Sequence, residues 1–199
     1  MTTSASFYSL MTRTMNEDMR KIIRRILKDI RVEMGDEFDR NFERQAFFSE
    51  AWQRRKSPTR PGGSILIDTG RLRRSVGSRT TETSIVFYTT LPYAAIHNDG
   101  GEIKVTKKMK RYFWHKYYEA TGSFGRRKDG TPRKDKRTVR LTTEAEFWKF
   151  MALKKEGGTI RIPRRQFLGT SPEVEQAVRE IIEENITEYF NVEFNIRRK

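Results

Sequence analysis

The chain has 199 residues, 34% of them charged and 35% apolar, a formal net charge of +15 and no cysteine. That length allows one domain with a real core and makes two full domains a squeeze, while the modest apolar share predicts a thin core that leans on neighbours. A disulfide framework and a thiolate metal site are excluded; no apolar run is long enough to span a bilayer and the N-terminus lacks a signal-peptide pattern, so the chain reads as soluble and unexported.

In chain order, residues 1–13 are Ser/Thr-rich and aperiodic and read as a flexible arm, leaving residues 14–199 as a single domain. Thr14-Met-Asn-Glu17 has capping-box spacing. After it Met19, Ile22, Ile23, Ile26, Ile30 and Met34 recur at helical spacing, with Phe38, Phe42 and Ala46 extending the stripe. Residues 53–64 are punctuated by Pro and Gly and predict a loop. Asp68 or Thr69 then caps a short turn from Arg71, and Val76–Arg79 and Ile85–Tyr88 read as a hairpin. Tyr93–His97 predicts one helical turn closed by Asn98-Asp-Gly-Gly101, residues that tolerate the left-handed backbone a chain reversal needs.

Glu102–Val105 alternates as a strand does, and Thr106 caps a helix from Lys107 to about Ala120. Residues 122–137 hold one aromatic and no aliphatic side chain, too little to offset their ordering entropy, and predict a mobile basic loop. Thr143-Glu-Ala-Glu146 has capping-box spacing and opens a further helix, Gly157-Gly158 ends it, and Thr159–Ile162 is a short strand stopped by Pro163. Thr170-Ser-Pro-Glu173 starts the last helix, with Val174, Val178, Ile181, Ile182, Ile186, Tyr189 and Phe190 as its apolar stripe and glutamates opposite. The class is α+β: a small, mostly antiparallel sheet between a long N-terminal helix and a C-terminal amphipathic helix.

Charge is segregated along the chain. Residues 54–79 hold eight Arg/Lys against Asp68, and residues 104–140 hold fourteen against three carboxylates. Residues 171–193 reverse the sign, with seven Glu against Arg179. A basic middle and an acidic end suit either a polyanion partner or head-to-tail contact between identical subunits.

Catalytic signatures are thin. His97 and His115 are far apart in sequence with no Cys to join them, so zinc is not expected, and a local backbone hydrogen bond accounts for His97. Glu102-Ile-Lys104 with Asp68 or Asp99 is the nearest match to a metal-dependent nuclease, but one Glu-x-Lys arises by chance in so charged a chain. Neither a catalytic residue nor a cofactor or metal is expected. Tyr112, Phe113, Trp114, Tyr117 and Tyr118 among lysines allow a base-stacking platform, though their helical spacing fits a core stripe.

Three cassettes recur as turn residues beside apolar anchors and arginines: Ile67–Val76 (Asp68, Thr69, Gly70, Leu72), Pro92–Gly101 (Tyr93, Ala94, Ile96, His97, Gly100, Gly101) and Ile162–Gly169 (Pro163, Arg165, Phe167, Leu168, Gly169). In this order they resemble the virion morphogenesis (tail completion) family of Mu-like tailed phages over roughly residues 20–190, interrupted by a long insertion in the 110–155 region. The resemblance implies a structural neck or tail subunit, found in the virion and assembled in the bacterial cytoplasm. It also implies a homo-oligomeric ring, here expected to be a hexamer, that meets a portal or connector and tail terminator, tube or sheath proteins. The matched residues are then fold- and interface-forming.

Within that reading, Glu173, Glu180 and Glu184 on the last helix of one subunit would meet Arg71, Arg73 and Arg74, or Lys107, Lys108 and Arg111, on the next. Arg126, Arg127, Lys128, Arg133 and Lys134 are the candidates for non-specific DNA contact. The alternatives are a nucleic-acid-binding module without a virion role and, behind it, a metal-dependent nuclease.

Overall fold

The computed structural model describes residues 3–59, 62–124, 126–131 and 133–197, with side chains from Glu17 to Asn191. It is α+β, and contacts group the chain into two compact units. Unit 1 comprises Met1–Ala51, Arg71–Leu91 and Phe167–Lys199; unit 2 comprises Trp52–Gly70 and Pro92–Gln166.

Unit 1 is built on α1 (Thr3–Arg44), which begins upstream of the Thr14 capping box. The side chains of that box before Glu17, and those of the arm expected at residues 1–13, lie outside the described residues. After α1, β1 (Ala46–Phe47) and β2 (Glu50–Ala51) make a minimal antiparallel pair. The short helix α2 (Arg71–Arg74) leads into β3 (Val76–Thr80), which pairs with β4 (Ile85–Thr89) in the register Val76↔Thr89 to Thr80↔Ile85. Thr81 closes this hairpin, its N–H donating to the Ser84 carbonyl at 2.8 Å.

The last helix, α6 (Pro172–Arg197), starts where expected: Ser171 Oγ accepts from the Val174 N–H at 3.3 Å. Proline occupies the first helical position, where its missing N–H costs nothing. The buried line on α6 is Val174, Ile181 and Asn185, while Ile186 and Phe190 are 40% and 54% exposed. The predicted stripe therefore needs correction at its C-terminal end. At 100° per residue Asn185 continues the Ile181 line inward, where its Nδ2 donates to the Ile181 carbonyl at 3.0 Å and its buried Oδ1 has no partner among the described residues. Ile186 and Phe190 follow Ile182 on the neighbouring line.

The unit 1 core centres on Phe42 and Phe167, rings 5.2 Å apart, with Phe38 against Phe47 and Phe87. Asn41, also fully buried, links three segments: its Nδ2 donates to the Phe167 carbonyl at 3.3 Å and its Oδ1 accepts from the Phe48 N–H at 3.0 Å. Phe48 holds a left-handed φ of 51° in the β1–β2 turn, so this side-chain anchor fixes a turn that a non-glycine residue rarely adopts.

Unit 2 contains the one-turn helix α3 (Ala94–Asn98), and β5 (Gly101–Lys104) paired antiparallel with β6 (Thr159–Ile162). Between these strands runs a helical hairpin, α4 (Lys107–Gly122) and α5 (Lys136–Leu153). Thr106 caps α4 as expected, its Oγ1 accepting from the Met109 N–H at 3.2 Å. The start of α5 is a second correction. Asp135 is the N-cap, its carboxylate accepting from the Thr138 N–H at 2.8 Å. Thr142 and Thr143 instead turn their hydroxyls onto the Thr138 and Val139 carbonyls one turn back. A stronger acidic cap upstream thus extends the helix through the predicted start at Thr143.

Phe113 stacks on Trp148 between the two helices with centroids 5.8 Å apart, so the aromatic stripe of α4 is partly core. Tyr112 and Tyr118 are 50% and 64% exposed, while Trp114 and Tyr117 are half-buried. Every strand pairing among the described residues is antiparallel, in three two-stranded sheets.

Candidate functional site

The second cassette and the first part of the third, Ile162–Gln166, form one piece of unit 2. Gly101 opposes Ile162 in the β5–β6 ladder, and the Arg165 N–H donates to the His97 carbonyl at 2.8 Å. Gly100 (φ +74°) lets the backbones approach: a Cβ there would stand 2.7 Å from the Arg164 nitrogen. Trp52 seals the base of the piece, its Nε1–H donating to the Gln166 carbonyl at 2.7 Å.

His97 departs from the expected backbone bond. Its Nδ1 is buried with no partner among the described residues, and the Tyr93 ring stands edge-on to it at 6.2 Å. Burial first, and then the charge of Arg165, hold the imidazole pKa below its usual value and favour the neutral ring.

Around this piece opens a cleft of about 910 Å³, lined by Gln53, Arg54, Lys56, Asp99, Gly100, Gly101, Glu102 and Arg161–Arg165. Its cations outnumber its carboxylates. Arg165 is half-buried, and its Nε donates to the Gln53 carbonyl at 3.0 Å. Burial, and then the like charge of Arg55, disfavour its charged form. Arg164 donates to the side chain of Gln166. Glu102 and Asp99 do not gather further ligands: among the described residues no group of three His, Asp or Glu side chains is placed to hold a metal.

In unit 1 the first cassette's helix α2 buries Leu72 and sends Arg73 onto α1. The Arg73 guanidinium forks onto Asp39, with Nε to Oδ1 at 2.5 Å and Nη2 to the second oxygen, and also reaches Glu43 Oε1 at 2.6 Å. Hydrogen bonding to Arg73 holds the Asp39 carboxyl below its usual pKa. Replacing Arg73 with Ala is expected to lower stability by about 1 kcal/mol, since the carboxylates are solvent-exposed and screened. Urea unfolding checks this, and an unchanged midpoint would show that the fork contributes nothing.

The other expected assembly residues divide. Glu173 accepts from Ser49 Oγ at 2.5 Å, and Glu180 from Gln176 Nε2 at 2.7 Å. Glu184 is exposed on α6, as are Lys107, Lys108 and Arg111 at the start of α4. Arg71 and Arg74 are exposed on α2. Arg126, Arg127, Lys128, Arg133 and Lys134 sit, exposed, on the link between α4 and α5. There the Arg127 N–H bonds the Thr131 carbonyl at 2.8 Å, and Arg133 Nε bonds the Arg126 carbonyl at 3.1 Å.

Unit 1 also has an open apolar cleft of about 600 Å³ between α1, β4 and α6, lined by residues such as Ile23, Ile30, Ile85, Phe87, Val178 and Ile182. The sequence reading did not single out Asn41, Trp52 or the cleft cations Arg54, Lys56 and Arg161 as site residues. Their signal, polar or aromatic residues at the margins of apolar runs, is too common to select them.

The two units expose one apolar cleft and several strongly charged surfaces on a scaffold of short hairpins and helices. The chain belongs to the phage virion morphogenesis family, whose sequence pattern it matches over residues 6–187. No curated protein and no solved structure matches it. It is thus a phage protein of virion morphogenesis, and among the described residues no helix is long and apolar enough to cross a membrane.

Proposed function

We propose that this protein is a tail-completion or head–tail joining subunit that forms a homo-oligomeric ring of six copies in the neck or tail of the particle. It acts without catalysis or a cofactor. One side of the ring meets the portal or connector, the other the tail terminator, tube or sheath. The observation that carries the reading is charge segregation in folded form: α6 exposes a glutamate face while unit 2 gathers cations around the cassette cleft. Complementary patches on one chain favour a heterologous contact, which closes into a ring when its rotation closes.

Light scattering on the purified protein at low and moderate salt, alone and with neck partners, is expected to show a closed oligomer. A monomer under every condition sinks the ring. Deleting the gene is expected to leave full heads and unjoined tails in electron micrographs, and normal particles would refute the joining role.

The exposed basic link between α4 and α5 favours a second role within the same reading, contact with DNA phosphates as the genome passes. Charge neutralisation of Arg126, Arg127, Lys128, Arg133 and Lys134 should flatten the salt dependence of duplex binding by up to about 0.9 log units per lost phosphate contact. An unchanged slope would assign the link to a protein partner.

A further inference from the structure

The cassette cleft of unit 2 collects cations without neutralising them. Arg54, Lys56, Arg161, Arg164 and Arg165 line it, and none has a carboxylate within ion-pair distance among the described residues. The frame beneath them has little room to relax, because Gly100 packs directly on the Arg164 backbone and Arg165 is tied to both His97 and Gln53. Arg165 is drawn partly out of water, while Arg54, Lys56, Arg161 and Arg164 are exposed and crowd like charge around one opening, so an anionic partner would relieve their mutual repulsion.

Helix α6 of unit 1 has the opposite imbalance. Its exposed face runs Glu175, Arg179, Glu180, Glu183 and Glu184, and Glu180 and Glu184 stand one turn apart, where like charges repel.

We infer that the unit 2 cleft receives the glutamate face of α6 from a second copy of this chain. This rests on the ring reading and names its subunit contact. The two carboxylates of the cleft, Asp99 and Glu102, favour a protein over a nucleic acid. They offer partners to Arg179, the one cation on that face, and only repulsion to a phosphate backbone.

A charge swap tests the contact. Arg161→Glu with Arg164→Glu reverses the cleft, and Glu180→Arg with Glu184→Arg reverses the helix; all four side chains are exposed, and circular dichroism checks that each variant folds. Light scattering is expected to show each variant associating at least ~100-fold more weakly than the wild type. Their equimolar mixture should regain assembly in rings of alternating copies, because each helix then finds a cleft of opposite sign.

Variants that assemble like the wild type, or a mixture that stays dissociated, overturn the contact while leaving the ring intact. A wild-type protein that never assembles overturns the ring together with the contact. Loss of duplex binding by the cleft variant with assembly unchanged would reassign the cleft to nucleic acid.

Discussion

Phe42→Ala should destabilise unit 1 by about 4 kcal/mol, the largest single-residue effect expected in this chain. Phe42 is fully buried and tilted against Phe167, so truncation removes the transfer energy of the ring and leaves a cavity. The surroundings are poorly able to collapse into it. Asn41, the adjacent residue, is held at both ends by hydrogen bonds to Phe167 and Phe48, which restrains the backbone on either side of the gap. For a chain of this size the loss corresponds to a fall of roughly 10 °C in Tm. Phe42→Leu should recover much of it, and calorimetry on the three proteins decides. A loss under about 1 kcal/mol for the Ala variant would mean that the two rings do not form the centre of this core.

Gly100→Ala should disrupt unit 2 for a different reason. The residue has φ +74°, which costs an L-side chain about 1–2 kcal/mol, and its added Cβ would also stand 2.7 Å from the nitrogen of Arg164. That neighbour is backbone, two residues past the end of β6 and next to the Arg165–His97 hydrogen bond, so it cannot swing aside as a side-chain tip would. Gly130 is the matched control: φ is +81°, and nothing lies within 4 Å of a Cβ placed there. Gly130→Ala should show the conformational cost alone, while Gly100→Ala should cost at least twice as much and raise amide exchange over β5 and β6. Equal effects would show that the close approach of the two cassettes is not what the glycine serves.

Phe42 packs on Phe167 of the third cassette and Gly100 lies in the second, and sequence and structure assess these cassettes differently. As turns and strands they were legible: the α3 turn, the glycine reversal at Gly100-Gly101, the β3–β4 hairpin and the strand ending at Pro163 all lie where residue type placed them. Local sterics set those features. The caps were legible where one residue monopolised the role, as at Thr106 and Ser171, and misread where two competed, as Asp135 outcompeted Thr143. The helical spacing of apolar residues in α6 places Ile186 and Phe190 inward and passes over Asn185, whereas the structure exposes the first two and buries the third. A helix buries the line that faces its neighbour, even when that line contains an amide able to bond its own backbone.

By itself, the sequence determined the α+β class, most element positions, the charge segregation and the family, because these depend on residues near one another in the chain. Only the tertiary structure decided which chain segments share a compact unit: the first cassette divides between Gly70 and Arg71, the third between Gln166 and Phe167. It also decided what each charge faces. Arg73, one of a run of similar arginines, closes on Asp39 and Glu43, while Arg161 and Arg164 line a cleft with no carboxylate paired to them. Ion pairing and burial depend on distance through space, and spacing along the chain does not encode that distance once it folds back on itself.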